Sequence, residues 1–405
     1  MALVSFIFFQ PLGALFLIAQ LCVFFIISRE MKMLGLNSFG LATEKPFPAY
    51  YNLYTSNVTD NYKNTTYTEN PTGPSINSHD SVALAARKVH ESNLDKPFII
   101  VMQANFGMVP MIKSWLCNTK TMDGVHENTL IIVDDKGYDA MQSFQTSATI
   151  VKDTLPKELQ SSWSFGTIGY WRTTQNRAQT IGGILREGVS LMLIEPDATW
   201  IQSIFEDPDL VGDMDDDLVG MNDEKDGIGF GWLRIKANKE MNEVWNYVEK
   251  NIDREMGGRT LIKRGEDLSR RKDKRGDQHW LDQEMKRRAK AGTLKYRILS
   301  ECRYPNGRWY DGGIKLKNYN SDGRSREFRL RCRKSEPRGL MVIQNNWLAG
   351  NENKIRRAKR WEHWFLNRNE TDCRGSSPWE QLEKARASSK TGIPPHGALG
   401  NYNSK

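Results

Sequence analysis

Short apolar runs separated by stretches of helical spacing constrain this 405-residue chain more than any other feature of its sequence. Pro97 to Met102 (PFIIVM), Thr129 to Val133 (TLIIV) and Val189 to Ile194 (VSLMLI) read as strands. Met108 to Cys117 and the amphipathic Thr174 to Glu187 read as helices, the second closed by Gly188. Strands alternating with helices point to an α/β fold with a largely parallel sheet. In such sheets, ligands bind outside the carboxyl ends of the strands.

That rule singles out LMLIEPDATW, residues 191 to 200, where an apolar run stops on Glu195, Pro196 and Asp197. Two hard oxygen ligands with one spacer suit a divalent cation such as Mn²⁺ or Mg²⁺, which can bridge the phosphates of a nucleotide. A solvated turn is the plainer use of the same residues. A second acidic cluster, Asp213, Asp215, Asp216 and Asp217, precedes the apolar Leu218 to Met221. It therefore falls at the amino end of the next strand and is expected to be a solvated loop.

Leu3 to Ser28 carries no charge. As a helix it would span ~39 Å, more than the ~30 Å hydrocarbon core of a bilayer, so residues 1–28 are expected to be a transmembrane signal anchor. Arg29 and Lys32 after it favour a cytosolic C-terminal part. The sequons at Asn57, Asn64 and Asn369 favour a lumenal one. Cys117, Cys302, Cys332 and Cys373 are even in number and open either to two disulfides in an oxidising lumen or to four buried thiols. Residues 29–80, rich in Asn, Thr, Tyr, Pro and Gly, read as a stem, and 374–405 as a polar tail, which leaves 81–373 as the globular domain.

The net charge of +8 favours polyanionic partners. The basic run from Lys263 to Lys290 is interrupted by Glu266, Asp267, Asp273 and Asp277, which makes it a solvated surface and argues against nucleic acid as a partner. No Ser-His-Asp order, CxxC pair, P-loop or GxGxxG element supports hydrolase, redox or kinase chemistry.

Read in order, QNRAQTIGGILREG, SLMLIEPDATW, DLVGMND, GIGFGWLRI, KEMNEVWNYVEKNI, GDQHWLDQEM, ILSECRYPNG and MVIQNNWLAGNENKIRRAKR resemble the nucleotide-diphospho-sugar transferases, glycosyltransferases of the GT-A fold. The resemblance covers roughly residues 97 to 366. It implies a GT-A type, Rossmann-like, mostly parallel sheet flanked by helices. Glu195-Pro196-Asp197 stands at the family's Asp-x-Asp motif, with Glu in place of the first Asp. Asp134 and Asp135 would face the nucleotide, and Arg177 the diphosphate. Asp277 and Gln278 match the Asp-Gln block beside the donor sugar and acceptor, and Asp277 is equally placed to cap a helix. Gln344 stands where relatives place a metal-binding histidine, and Gly350 and Lys354 stand at the positions that contact the diphosphate.

The resemblance thus implies a retaining, Mn²⁺- or Mg²⁺-dependent transfer from a nucleotide sugar, a UDP-sugar, to a hydroxyl of a glycan or glycoprotein. It implies a single-pass type II protein of the Golgi membrane with a lumenal domain. Because residues 195 and 344 depart from the family pattern, the competing expectation is an inactive glycan-binding or scaffold protein on the same fold.

Overall fold

A computed structural model describes residues 78–374, apart from 154, 161–162, 213–214, 224–226, 261, 264, 311–323 and 337. The expected membrane span, nearly all of the stem and tail, and the sequons at Asn57 and Asn64 lie outside the described residues. Among the described residues no helix is long and apolar enough to cross a membrane.

The elements run α1 (Ser78–Glu91), β1 (Ile99–Ala104), α2 (Val109–Thr119), β2 (Thr129–Val133), α3 (Asp135–Met141), β3 (Thr149–Lys152), α4 (Ile168–Arg186) and β4 (Leu191–Ile194). They continue with β5 (Ala198–Trp200), α5 (Pro208–Val211), β6 (Leu218–Asn222), β7 (Ile228–Ile235), α6 (Lys239–Met256), α7 (Asp277–Lys290), β8 (Tyr296–Ile298), α8 (Arg324–Ser335), β9 (Val342–Gln344) and α9 (Asn351–Arg360). Helix α4 starts six residues before the expected Thr174. Its Thr167 side chain accepts a hydrogen bond from the Tyr170 backbone N–H and caps the first turn.

A seven-stranded sheet has the order β3-β2-β1-β4-β7-β6-β8. Every pairing is parallel except the two made by β7, so the expected mostly parallel α/β sheet is present. Strand β1 shows why these runs are apolar on both faces. Ile99 and Val101 enter one core layer with Leu191, Leu193, Ile181 and Trp245, beneath α1, α4, α6 and α7. Ile100 and Met102 enter the opposite layer with Trp115, Trp200, Trp232 and Phe365. Full burial stabilises each such side chain by ~1.5–3 kcal/mol, which is why a strand covered on both sides tolerates no polar alternation.

In the second layer Trp200 stands edge-on to both Trp115 and Trp232, with ring centroids 5.2 and 5.1 Å apart. The four cysteines form two disulfides, Cys117–Cys373 and Cys302–Cys332. The first ties α2 to the far end of the domain. A small antiparallel pair, β5 with β9, sets Ala198 opposite Gln344 and so brings together segments nearly 150 residues apart.

Candidate active site

Strands β1, β2, β3, β4 and β6 all run in one direction, so their carboxyl ends share one edge of the sheet. Asp134, Asp153, Glu195 and Asp223 each follow such an end. Asp216 and Asp217 lie at the opposite edge. Asp216 pairs with Arg297 at 2.7 Å, and Asp217 accepts from Asn238 at 2.6 Å and from the Lys295 backbone at 2.9 Å. The amino-end placement of that cluster holds, but these two carboxylates are bound by neighbours instead of by solvent alone. Asp213 lies outside the described residues.

After β4 the Glu195-Pro196-Asp197 turn delivers two carboxylates to one point. Asp197 is fully buried. Its Oδ2 meets the Lys354 ammonium at 2.6 Å, and its Oδ1 accepts from Gln344 Nε2 at 2.7 Å. The same amide nitrogen donates to Glu195 Oε2 at 3.1 Å, which leaves Gln344 Oε1 buried with no hydrogen-bond partner. Gly231 on β7 makes room for this approach. A Cβ there would lie 2.6 Å from Gln344 Nε2 and 3.0 Å from Glu195 Oε2. Burial, reinforced by the nearby Asp197, pushes the Glu195 carboxyl above its usual range. Burial alone would lower Lys354, but Asp197 and Glu195 outweigh it and hold the ammonium above the usual lysine range.

Gly350 precedes α9 with φ of 86°, a backbone conformation that glycine adopts without strain. Lys354 projects from the first turns of α9. Asn345 fixes that helix to the end of β9, with its Nδ2 donating to the Lys354 carbonyl at 2.9 Å and its Oδ1 accepting from Arg357.

On the other side of Glu195, Arg177 of α4 grips Asp277 with two bonds, Nε to Oδ2 at 2.7 Å and Nη2 to Oδ1 at 3.0 Å. Its Nη1 is 3.7 Å from Glu195 Oε1, and its guanidinium stacks 4.7 Å from the Phe230 ring centroid. Arg177 therefore joins Asp277 to Glu195. Burial pushes the neighbouring Tyr170 hydroxyl up to about 12, so it stays protonated as a donor. Gln278 donates through Nε2 to Asp223 Oδ2 at 2.8 Å.

Asp134 is more committed. Its Oδ1 accepts from the Gly137 N–H at 2.7 Å, capping α3, and its Oδ2 accepts from the Phe106 N–H at 2.9 Å. Asp135 is exposed, 3.3 Å from Gln160 Nε2 and 3.8 Å from Lys152 Nζ. Thus Glu195, Asp197, Gln344, Lys354, Arg177 and Asp277 form one connected group. Gln278 and Gly350 border it, and Asp134 and Asp135 line the same sheet edge farther along. Sequence reasoning missed Asp223 and the buried Asp153, which accepts from Gln103 and Asn176 at 2.7 Å each. Both carry the signal used for Glu195, a carboxylate directly after a strand.

Residues 124–358 match the sequence profile of the nucleotide-diphospho-sugar transferases. The chain belongs to this family. As a nucleotide-diphospho-sugar transferase family member it is similar to the UDP-galactose:fucoside alpha-3-galactosyltransferase of Dictyostelium discoideum, 21% identical over 309 residues, 67% of this chain and 44% of that protein. It is also similar to UDP-D-xylose:L-fucose alpha-1,3-D-xylosyltransferase 3 of Arabidopsis thaliana, 26% identical over 110 residues, 27% of this chain and 28% of that protein. The chain spans less than half the length of these curated relatives. The crystal structure of the glycosyltransferase GlyE of Streptococcus pneumoniae TIGR4 superposes with a TM-score of 0.39 at 11% identity, covering 74% of this chain and 66% of that one.

For a member of this family the question is whether the cluster suits a divalent cation. No group of three His, Cys, Asp or Glu side chains able to hold a metal occurs among the described residues. Glu195 Oε2 and Asp197 Oδ1 nevertheless converge on one atom of Gln344, whose amide oxygen is buried and unbonded. Turning that amide over would add a third hard oxygen to two carboxylates, a donor set that fits Mn²⁺ or Mg²⁺ once substrate oxygens join it.

Proposed function

We propose that this chain moves a sugar from a nucleotide-diphosphate donor, a UDP-sugar, to a hydroxyl of a glycan or glycoprotein, with retention of configuration. The observation that carries this reading is the convergence of Glu195, Asp197, Gln344 and Lys354 at the carboxyl ends of the sheet in a chain of this family. Both curated relatives are named for UDP-linked donors, fucose or fucoside acceptors and alpha linkages. Fucose-bearing acceptors are therefore the first to try.

Glu195, Asp197 and Gln344 would hold a divalent cation, which when bound supplies positive charge to the departing diphosphate. The chain's own contribution is positioning and charge. Lys354 and the N-terminal end of α9 present an ammonium and the positive end of the helix dipole to the phosphates. Arg177 holds both oxygens of Asp277, so that carboxylate orients sugar hydroxyls at the helix start and is not free as a nucleophile. Retention then follows from front-face attack. The bond from the anomeric carbon to the phosphate oxygen breaks, the acceptor oxygen bonds to the same face, and the acceptor proton passes to the leaving phosphate.

The two disulfides and the exposed sequon at Asn369 support a lumenal, oxidising location, and Leu3 to Ser28 supplies the apolar length for a type II Golgi anchor. The deciding experiment incubates the full chain with UDP-galactose or UDP-xylose and a fucoside, with Mn²⁺, and follows product by mass. A new glycoside with alpha linkage is the expected result. Failure to bind or turn over any nucleotide sugar would leave the inactive glycan-binding reading standing.

A further inference from the structure

The chain's own cations do not balance the charge of the polar cluster. Three carboxylates, Glu195, Asp197 and Asp277, stand against two cations, Arg177 and Lys354. Arg357, the buried cation three residues further along α9, is tied to Asn345 and Asn346. Even counted in, it brings the cluster only to neutrality. A diphosphate arriving alone would therefore put uncompensated negative charge into a largely buried site.

Every carboxylate oxygen that could bind a cation already faces a nitrogen of the chain. Lys354 Nζ lies 2.6 Å from Asp197 Oδ2, Gln344 Nε2 bridges Asp197 and Glu195, and Arg177 Nη1 approaches Glu195 Oε1 at 3.7 Å. The bridging amide has a cost, because Gln344 Oε1 is buried without a partner. Gln344 is thus satisfied on one end only, as expected of a side chain with a second orientation to adopt. Lys354 sits in the first turns of α9, beside the helix end where phosphates bind, so its ammonium can reach either Asp197 or a phosphate.

We infer that Lys354 and the Gln344 amide serve as a resident stand-in for the divalent cation, and that loading the site exchanges both: Lys354 leaves Asp197 for the donor diphosphate while Gln344 turns its amide oxygen toward the two carboxylates. This rests on the transferase reading above and adds to it that the chain's own lysine and amide guard the two carboxylates until the site is loaded.

The test is calorimetric binding of Mn²⁺ alone, and of UDP with and without Mn²⁺, to the purified full chain and to Lys354→Met. If Lys354 guards Asp197, its removal tightens Mn²⁺ binding without nucleotide by about tenfold or more, while UDP binding in saturating Mn²⁺ weakens by a similar factor. A structural lysine would not move the two affinities in opposite directions. Lys354→Gln, which keeps a hydrogen-bond donor, guards against a folding failure of the first variant and is expected to repeat its pattern, with Mn²⁺ binding tighter and UDP binding weaker. Mn²⁺ affinity unchanged or weaker in the folded variants overturns the exchange, yet leaves the transferase reading intact if the parent chain binds UDP with Mn²⁺. No UDP binding under either condition overturns both.

Discussion

At the scale of single residues, the proposed chemistry rests on Asp197, whose two oxygens are the meeting point of Lys354 and Gln344. Asp197→Ala is expected to lower transfer by about 100-fold while the fold survives, measured as kcat/KM beside circular dichroism. Arg177 and Asp277 form a two-bond pair in which Asp277 is nearly inaccessible. Arg177→Ala leaves that carboxylate buried and unpaired, so a loss of about 3 kcal/mol is expected in urea unfolding. The double variant Arg177→Ala with Asp277→Asn should recover much of it.

His363 provides a pH signature. Burial pushes it down to about 3, and its Nδ1 lies 2.9 Å from the Tyr310 hydroxyl. The folded state therefore keeps it neutral while the unfolded state takes up a proton below the ordinary value near 6.5. Its contribution is intact above about pH 6.5 and is lost progressively as pH falls toward about 3, at about 1.4 kcal/mol per pH unit. His363→Gln should flatten the acid limb of the stability curve by about that slope. An unchanged limb would show that other groups set it.

At the scale of elements, β7 and the β5–β9 pair decide whether the residues meet. Strand β7 is the one antiparallel member of the described sheet, and Gly231 on it lets Glu195 and Gln344 approach each other. Gly231→Ala forces them apart. A displacement of about 1 Å is expected to cost about 100-fold in rate against a stability change of only ~1–3 kcal/mol. Rate and unfolding midpoint measured on the same preparation would separate the two effects. The Cys117–Cys373 disulfide anchors the end of the domain against buried α2, closing a loop 256 residues long. Replacing both cysteines with alanine is expected to remove about 2–5 kcal/mol, read from denaturant unfolding.

At the scale of the whole molecule, a ligand that binds only the folded state raises its melting temperature by mass action. UDP with Mn²⁺ at about 100 times its dissociation constant should add ~2.7 kcal/mol, and an unshifted melting curve would count against donor binding. The positions of β1, β2, β4 and β6, the mostly parallel sheet and the placement of Glu195 and Asp197 at a strand end were legible in the sequence, because burial on both faces demands unbroken apolar runs and their ends are marked by the first charges; β3, β5 and β8, only three or four residues long, were not. The direction of β7 was not legible, since an apolar strand reads the same in either orientation. Nor was the early start of α4, where Gly169, Tyr170 and Trp171 hide the helical period behind a Thr167 cap.

What the sequence by itself determined is local: which segments bury, where each strand stops, and which carboxylates stand at those stops. Only the tertiary structure decided the partners. Gln344 lies 149 positions from Glu195, and Arg177 lies 100 from Asp277, so no local pattern encodes their contacts. Sheet order and the β5–β9 register bring them within hydrogen-bonding distance. Once there, buried charge requires a counter-charge, which is why the carboxylates marked at the strand ends came to be held by Lys354, Gln344 and Arg177.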